Sequence, residues 1–257
     1  MIISHKHKYL FVEVPSTGST AISAELTSHY GGEAMLHKHA NYTECRKIMG
    51  SDVREYFVFS TVRNPLDFIV TDYFRLKGNH KNQYTTPSKF ERNGGFVTDQ
   101  QILEFEYIRK HDVDFARYFH QFQKSIYHNW FLVGHANFDY IMRYERLAQE
   151  FESVLKKIGL ETVRQLPKVN KTALKNQRFE EVYTPDTFEG AYEYYGPFMH
   201  QWGYEFPKSW PSGKVPWRSN SKFRLKERLV NTAAHFITLS PSSPVVQRVK
   251  AITDIFT

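Results

Sequence analysis

The sequence contains one cysteine, Cys45, which excludes an internal disulfide and gives no support for a thiolate metal site. No run reaches the roughly 18 apolar residues that a membrane-spanning helix needs. The opening residues, MIISHKHKYLFVEV, reach a strand-like run without a signal-peptide h-region, so the expectation is a soluble, cytoplasmic protein. Acidic residues are in deficit: 27 Asp and Glu stand against 34 Lys and Arg, a formal charge of +7. That balance suits anionic partners and an ordinary basic surface alike. No nucleic-acid recognition module is visible, so nucleic acid is not an expected partner. The phosphate-loop pattern G-x-x-x-x-G-K-[ST] is missing as well.

Aromatic residues make up 16% of the chain and hydrophobic residues 41%, which indicates an ordered protein with a substantial core. Residues 8–14 (KYLFVEV) form a short apolar run ending at Pro15, a buried strand. A helix follows from Ser19 to about Tyr30, with Ser19 or Thr20 near its cap. A second strand, Tyr56–Val62, precedes Arg63-Asn64-Pro65, and Pro65 suits a first helical turn. The next helix places Leu66, Ile69, Val70 and Tyr73 on one face. Residues 77–95 are polar and read as a long loop, a kind of segment that is usually functional or mobile. Residues 99–131 read as helical and aromatic-rich.

A third strand, Phe138–Tyr144, runs into a helix with Leu147, Phe151, Val154, Leu155 and Ile158 on one face and Gly159 as its stop. Strand–turn–helix recurring three times implies an α/β fold: a central parallel sheet flanked by helices. The chain reads as a single domain over 1–257, with 214–257 a basic helical extension. In that extension Phe223, Leu225, Leu229, Ala233 and Phe236 are the candidate core contacts.

Two turns carry candidate chemistry. In Pro15-Ser16-Thr17-Gly18-Ser19-Thr20, Gly18 permits a tight turn, and the amides of the first helical turn have no intrahelical acceptors. Thr17, Ser19 and Thr20 add hydroxyls. Such a turn is either a phosphate cradle or a plain capping turn. In Ser60-Thr61-Val62-Arg63-Asn64-Pro65-Leu66-Asp67, an arginine stands at the carboxyl end of a strand, where α/β ligands bind. Thr71 lies eight residues further on, about 12 Å along a helix. An arginine fork plus a hydroxyl suits a second phosphate; the plain alternatives are a surface ion pair and an ordinary helix residue.

At these residues the chain resembles the 3′-phosphoadenylyl-sulfate (PAPS)-dependent sulfotransferases, in their carbohydrate and bacterial branch. The family's P-K-T-G-[GST]-[ST] loop is matched by Pro15 to Thr20, and its V-R-N-P-x-[DE]-R segment by Val62 to Asp67 as far as the acidic position, with Thr71 in its serine position. Arg143-Tyr144-Glu145-Arg146-Leu147, Leu166-Pro167-Lys168-Val169-Asn170-Lys171-Thr172 and Gly203-Tyr204 resemble further family segments in the same order. The resemblance implies a P-loop-like sulfotransferase fold that moves a sulfuryl group from PAPS to a hydroxyl acceptor, a saccharide, and releases adenosine 3′,5′-bisphosphate (PAP). It implies that Pro15, Ser16, Thr17, Gly18, Ser19 and Thr20 hold the phosphosulfate and that Arg63 and Thr71 hold the 3′-phosphate. Asn170, Lys171 and Thr172 would belong to the nucleotide loop.

Leu36-His37-Lys38-His39 resembles the H-x-H of uronyl 2-O-sulfotransferases, which implies His39 as general base with His37 beside it. With 12 histidines, such a pair also arises by chance, and a two-histidine metal site lacks evident further ligands, so no metal is expected. The chain departs from the family at Ser16, which stands where the family has a lysine. Three cations are candidates to replace it: Lys38, Lys171 and Arg63. If none does, the alternative is a PAPS-, PAP- or sugar-binding module of the same fold with weak or no catalysis.

Overall fold

The computed structural model describes residues 1–167, 172 and 175–236, with side chains up to residue 232. Asn170, Lys171, the side chains of Ala233 and Phe236, and the end of the basic extension, 237–257, lie outside these described residues or side chains. In chain order the elements are β1 (Ile2–Ser4), β2 (Tyr9–Phe11), α1 (Ser19–His29), β3 (Glu33–Ala34), α2 (Tyr42–Met49), β4 (Phe57–Val62), α3 (Pro65–Lys77), α4 (Asp99–His111), α5 (Phe115–Phe122), β5 (Tyr140–Arg143), α6 (Leu147–Lys157), α7 (Phe179–Val182), α8 (Pro185–Gln201) and α9 (Trp217–Phe236). Among the described residues, no helix is long and apolar enough to cross a membrane. The chain divides into two compact units. The described part of the first is 1–64, 128–167 and 226–236; that of the second is 65–127, 172 and 175–225.

The first unit holds a five-stranded sheet in the order β3-β1-β2-β4-β5. Strands β2, β4 and β5 are parallel, as the recurring strand–turn–helix pattern requires, with Leu10 opposite Val58 and Phe59 opposite Tyr140. Strand β1 adds an antiparallel edge, pairing with both β2 and β3, so the sheet is mixed. Side chains alternate between its faces. Tyr9, Phe11, Phe59 and Met142 meet Ile22 and Leu26 of α1 and Phe151, Val154 and Leu155 of α6. Leu10, Val12 and Val58 meet Tyr42 and Cys45 of α2 on the other face. Each such side chain contributes about 1.5–3 kcal/mol of burial. The layering brings the carboxyl ends of the three parallel strands, and the turns after them, to one edge of the sheet.

The second unit is helical and built around aromatic rings. Leu66, Ile69, Val70 and Tyr73 of α3 are buried together, the stripe that the spacing predicts. Residues 77–95 depart from the loop reading. Three short 3-10 turns occupy them, and Tyr84 and Phe90 are buried in the core, with Tyr84 stacked on Phe105 at 5.5 Å between centroids. The segment is polar in composition but anchored by two rings. Of the aromatics at 118–131, Tyr118 and Phe119 are fully buried and belong to this core. In α9, Phe223 is buried, but Leu225 and Leu229 are 45% and 36% exposed and are not core residues.

The second unit also buries a carboxyl group. Glu104 accepts hydrogen bonds from the Tyr118 hydroxyl (3.0 Å) and from Gln100 Nε2 (2.9 Å). Tyr118 accepts in turn from Gln123 Nε2 (3.2 Å), whose Oε1 accepts from the Tyr195 hydroxyl (3.0 Å). Burial outweighs these neutral donors and pushes the Glu104 carboxyl up to about 7.

Candidate functional site

The turn between β2 and α1 is held by its own backbone and by β4. Val12 N–H still bonds Phe59 O (2.9 Å), and Ser60 Oγ donates to Val12 O (2.8 Å). Thr17 is buried; its hydroxyl donates to Val14 O (2.7 Å) and lies in hydrogen-bond contact with Thr61 Oγ1. A hydroxyl has one proton, so that of Thr17 is used inside the loop. Ser19 is buried and Thr20 exposed.

Helix α1 is not capped by Ser19 or Thr20. Its N-cap is Gly18, with φ 82° and no side-chain cap bond. Gly18 O accepts from both Ala21 N (3.0 Å) and Ile22 N (3.3 Å). A Cβ on Gly18 would lie 2.3 Å from Leu147 Cδ2, so both the backbone angle and the space demand glycine. The amides of this first turn are not closed by a capping side chain, and the positive end of the helix dipole lies here.

The second and third strand–turn–helix segments supply the loop's supports. Ser16, at φ 60°, turns its carbonyl to Arg63, whose guanidinium donates at 2.9 Å. The same guanidinium lies over the Tyr144 ring, 4.3 Å from its centroid. Asn64 N–H donates to Glu145 Oε1 at 2.7 Å. The Val62-Arg63-Asn64 and Arg143-to-Leu147 segments are therefore brought together around the Pro15–Thr20 loop. The functional reading of the sequence passed over Tyr144 and Glu145 as individual residues, although their motif was visible.

Residues 37–39 reach the loop from outside it. Lys38 Nζ donates to Thr20 Oγ1 at 3.1 Å, which places a full positive charge at the start of α1. His39 Nδ1 lies 2.9 Å from Glu13 O. A carbonyl only accepts, so Nδ1 carries the proton and Nε2 is left as the basic nitrogen. The ring packs edge-to-face on Phe131 at 5.8 Å. Burial pushes the His39 pKa below its ordinary value of 6.5, opposed by the bond to Glu13, so the ring is neutral at pH 7. Burial alone would raise the Glu13 carboxyl, but bonds from the Met1 ammonium and Ser23 outweigh it and hold that group down. His37 is turned away to Glu44, with Nε2 3.6 Å from Oε2.

Thr71 belongs to the second unit. Its hydroxyl donates to Asp67 O (2.8 Å) and accepts from Lys175 Nζ (3.0 Å), which also pairs with Asp67. Lys175 follows Thr172 by three residues, and its amide bonds Thr172 O at 3.2 Å. A lysine just beyond the Asn170-Lys171-Thr172 stretch was the only signal that could have singled it out. Among the described residues, no group of three or more His, Cys, Asp or Glu side chains is arranged to hold a metal ion.

A family model described as "Sulfotransferase family" matches residues 1–197. No curated protein and no solved structure matches the chain at a significant level.

Proposed function

The chain belongs to the sulfotransferase family, and on that premise we propose that it transfers a sulfuryl group from PAPS to a hydroxyl of a carbohydrate. The donor's phosphosulfate fits the start of α1: uncapped amides, a tight turn that glycine alone permits, and the Lys38 ammonium at Thr20. The acceptor oxygen attacks sulfur in line. The new O–S bond forms as the bond from sulfur to the phosphate oxygen breaks, and PAP leaves. His39 Nε2 takes the proton of the acceptor hydroxyl, for which its neutral state and fixed tautomer prepare it. Charge builds on the departing phosphate, and a cation aimed there is worth on the order of 10²–10³ in rate. Lys38 takes that role in place of Ser16. Arg63 holds the loop in shape through Ser16 O and, with Thr71, remains the expected contact of the 3′-phosphate.

The observation that carries this reading is the pair of contacts from one short segment, Lys38 on Thr20 and His39 on Glu13 O. Ser16 favours a second reading, a module that binds the nucleotide or a sugar without transfer. Radiolabelled PAPS and a panel of hydroxyl acceptors separate the two. The expected result is transfer by the wild type, reduced about 10²–10⁴-fold in His39→Ala with PAP affinity kept. Transfer that emerges only in Ser16→Lys establishes the binding module instead. Absence of PAP binding defeats both readings.

A further inference from the structure

Helix α9 turns one face to the protein and keeps the other in solvent. On the inner face Ser219, Phe223 and Val230 are buried. Phe223 packs on Phe198 of α8, and Val230 meets Val133. The helix has a single acid, Glu227, and it is directed to His135, with Oε1 4.0 Å from Nε2.

The outward face has a defined order. Trp217, Ser221, Leu225 and Leu229 follow one another at intervals of four and form a ridge along the helix. Arg224 and Arg228 each precede a leucine by one residue, about 100° round the axis, and so flank the ridge on one side. Arg218 and Lys222 each follow a ridge residue and flank it on the other. All four cations are exposed, and among the described residues no carboxylate forms an ion pair with any of them. Lys214, exposed just before the helix, adds a fifth positive charge. Trp217 is 72% exposed, more than any other large apolar side chain among the described residues, and the Arg218 guanidinium lies 5.6 Å from its ring centroid.

A nucleic acid would engage these cations and leave the ridge in water. An anionic bilayer engages both. Its phosphate groups meet the cations on either side of the ridge, the acyl boundary takes up the leucines, and the indole ring sits at headgroup level, where tryptophan is enriched. We propose that α9 docks the protein on an anionic membrane surface, lying in the plane of the headgroups without crossing the bilayer.

The test uses the full chain and vesicles of phosphatidylcholine with or without phosphatidylglycerol, read by co-flotation and by tryptophan emission. The expected result is binding to the vesicles that contain phosphatidylglycerol, weakened as salt rises. A blue shift of the emission should accompany it and be lost in Trp217→Phe. Arg218→Gln/Lys222→Gln should lower the affinity about 10–30-fold, each cation near an anionic surface being worth about five-fold. Trp217→Ser/Leu225→Ser should lower it about 10-fold or more through the lost apolar contact. The replaced side chains are exposed, and an unchanged urea midpoint reports an intact fold in each variant. Failure to float with the anionic vesicles, equal flotation with the neutral ones, or undiminished binding by either double variant overturns the proposal. So does a blue shift that persists in Trp217→Phe. Full vesicle affinity in the ridge variant, together with charge-dependent binding of a DNA duplex, assigns the face to nucleic acid instead.

Discussion

Helices α1 and α2 both follow a polar turn in the first unit, and their first turns are finished in opposite ways. In α2, Asn41 Oδ1 accepts from Glu44 N at 3.1 Å and the Glu44 side chain reaches back to the Asn41 amide, a reciprocal capping box. In α1, glycine stands at the N-cap with no side-chain bond. The α2 turn satisfies its own amides; the α1 turn leaves that to something else, and Lys38 is delivered to it from the segment that leads into α2. The contrast separates a helix start that serves stability from one suited to an anion.

The largest effect is expected at Gly18. Gly18→Ala forces a side chain into φ 82° and against Leu147, which should cost about 2–4 kcal/mol in urea unfolding and weaken PAP binding. An unchanged unfolding midpoint would remove glycine from the account of the open turn. Next is Lys38→Met, which should lower transfer about 10²-fold and weaken donor binding in low salt. Asn41→Ala should cost about 1 kcal/mol of stability through the lost cap and leave PAP affinity unchanged. If both variants lost PAP affinity equally, the two helix starts would not differ in function.

The smallest effect concerns pH. A general base must be deprotonated, so transfer should fall as pH drops through the His39 pKa, which burial places below 6.5. The Lys38 charge depresses it slightly further, so Lys38→Met should move this acid limb to higher pH. A wild-type limb at or above 6.5 would separate His39 from the reaction.

The parallel core was legible because β2, β4 and β5 each lie in an apolar run followed by a turn and an amphipathic helix. Strands β1 and β3 were not, since three and two residues are too short to show a period, and β3 is exposed. Ser19 and Thr20 look like caps by composition, but Gly18 takes the cap through its backbone angle. Tyr84 and Phe90 are two rings in a polar stretch, too sparse to signal a packed segment. At the site, the loop, Arg63 and the two histidines were visible as residue types. The tautomer of His39 was not, because a main-chain carbonyl sets it and every residue has one. The contact of Lys38 with Thr20 joins residues 18 positions apart, and no local pattern encodes it.

The buried Glu104 ties the folding of this protein to protons. Its carboxyl stays protonated up to about 7 when folded and ionises near 4.5 when exposed, so between those values unfolding releases a proton. The stability it contributes is complete below about 4.5 and declines as pH rises to about 7, by roughly 3 kcal/mol at most. Calorimetric unfolding in buffers of different ionisation heat would register that released proton directly. Glu104→Gln, which keeps an acceptor for Tyr118 without the ionisation, should abolish the release and flatten the decline. A protein with a basic surface thus holds, inside an aromatic core, a single acid whose ionisation costs it stability as pH rises to neutrality.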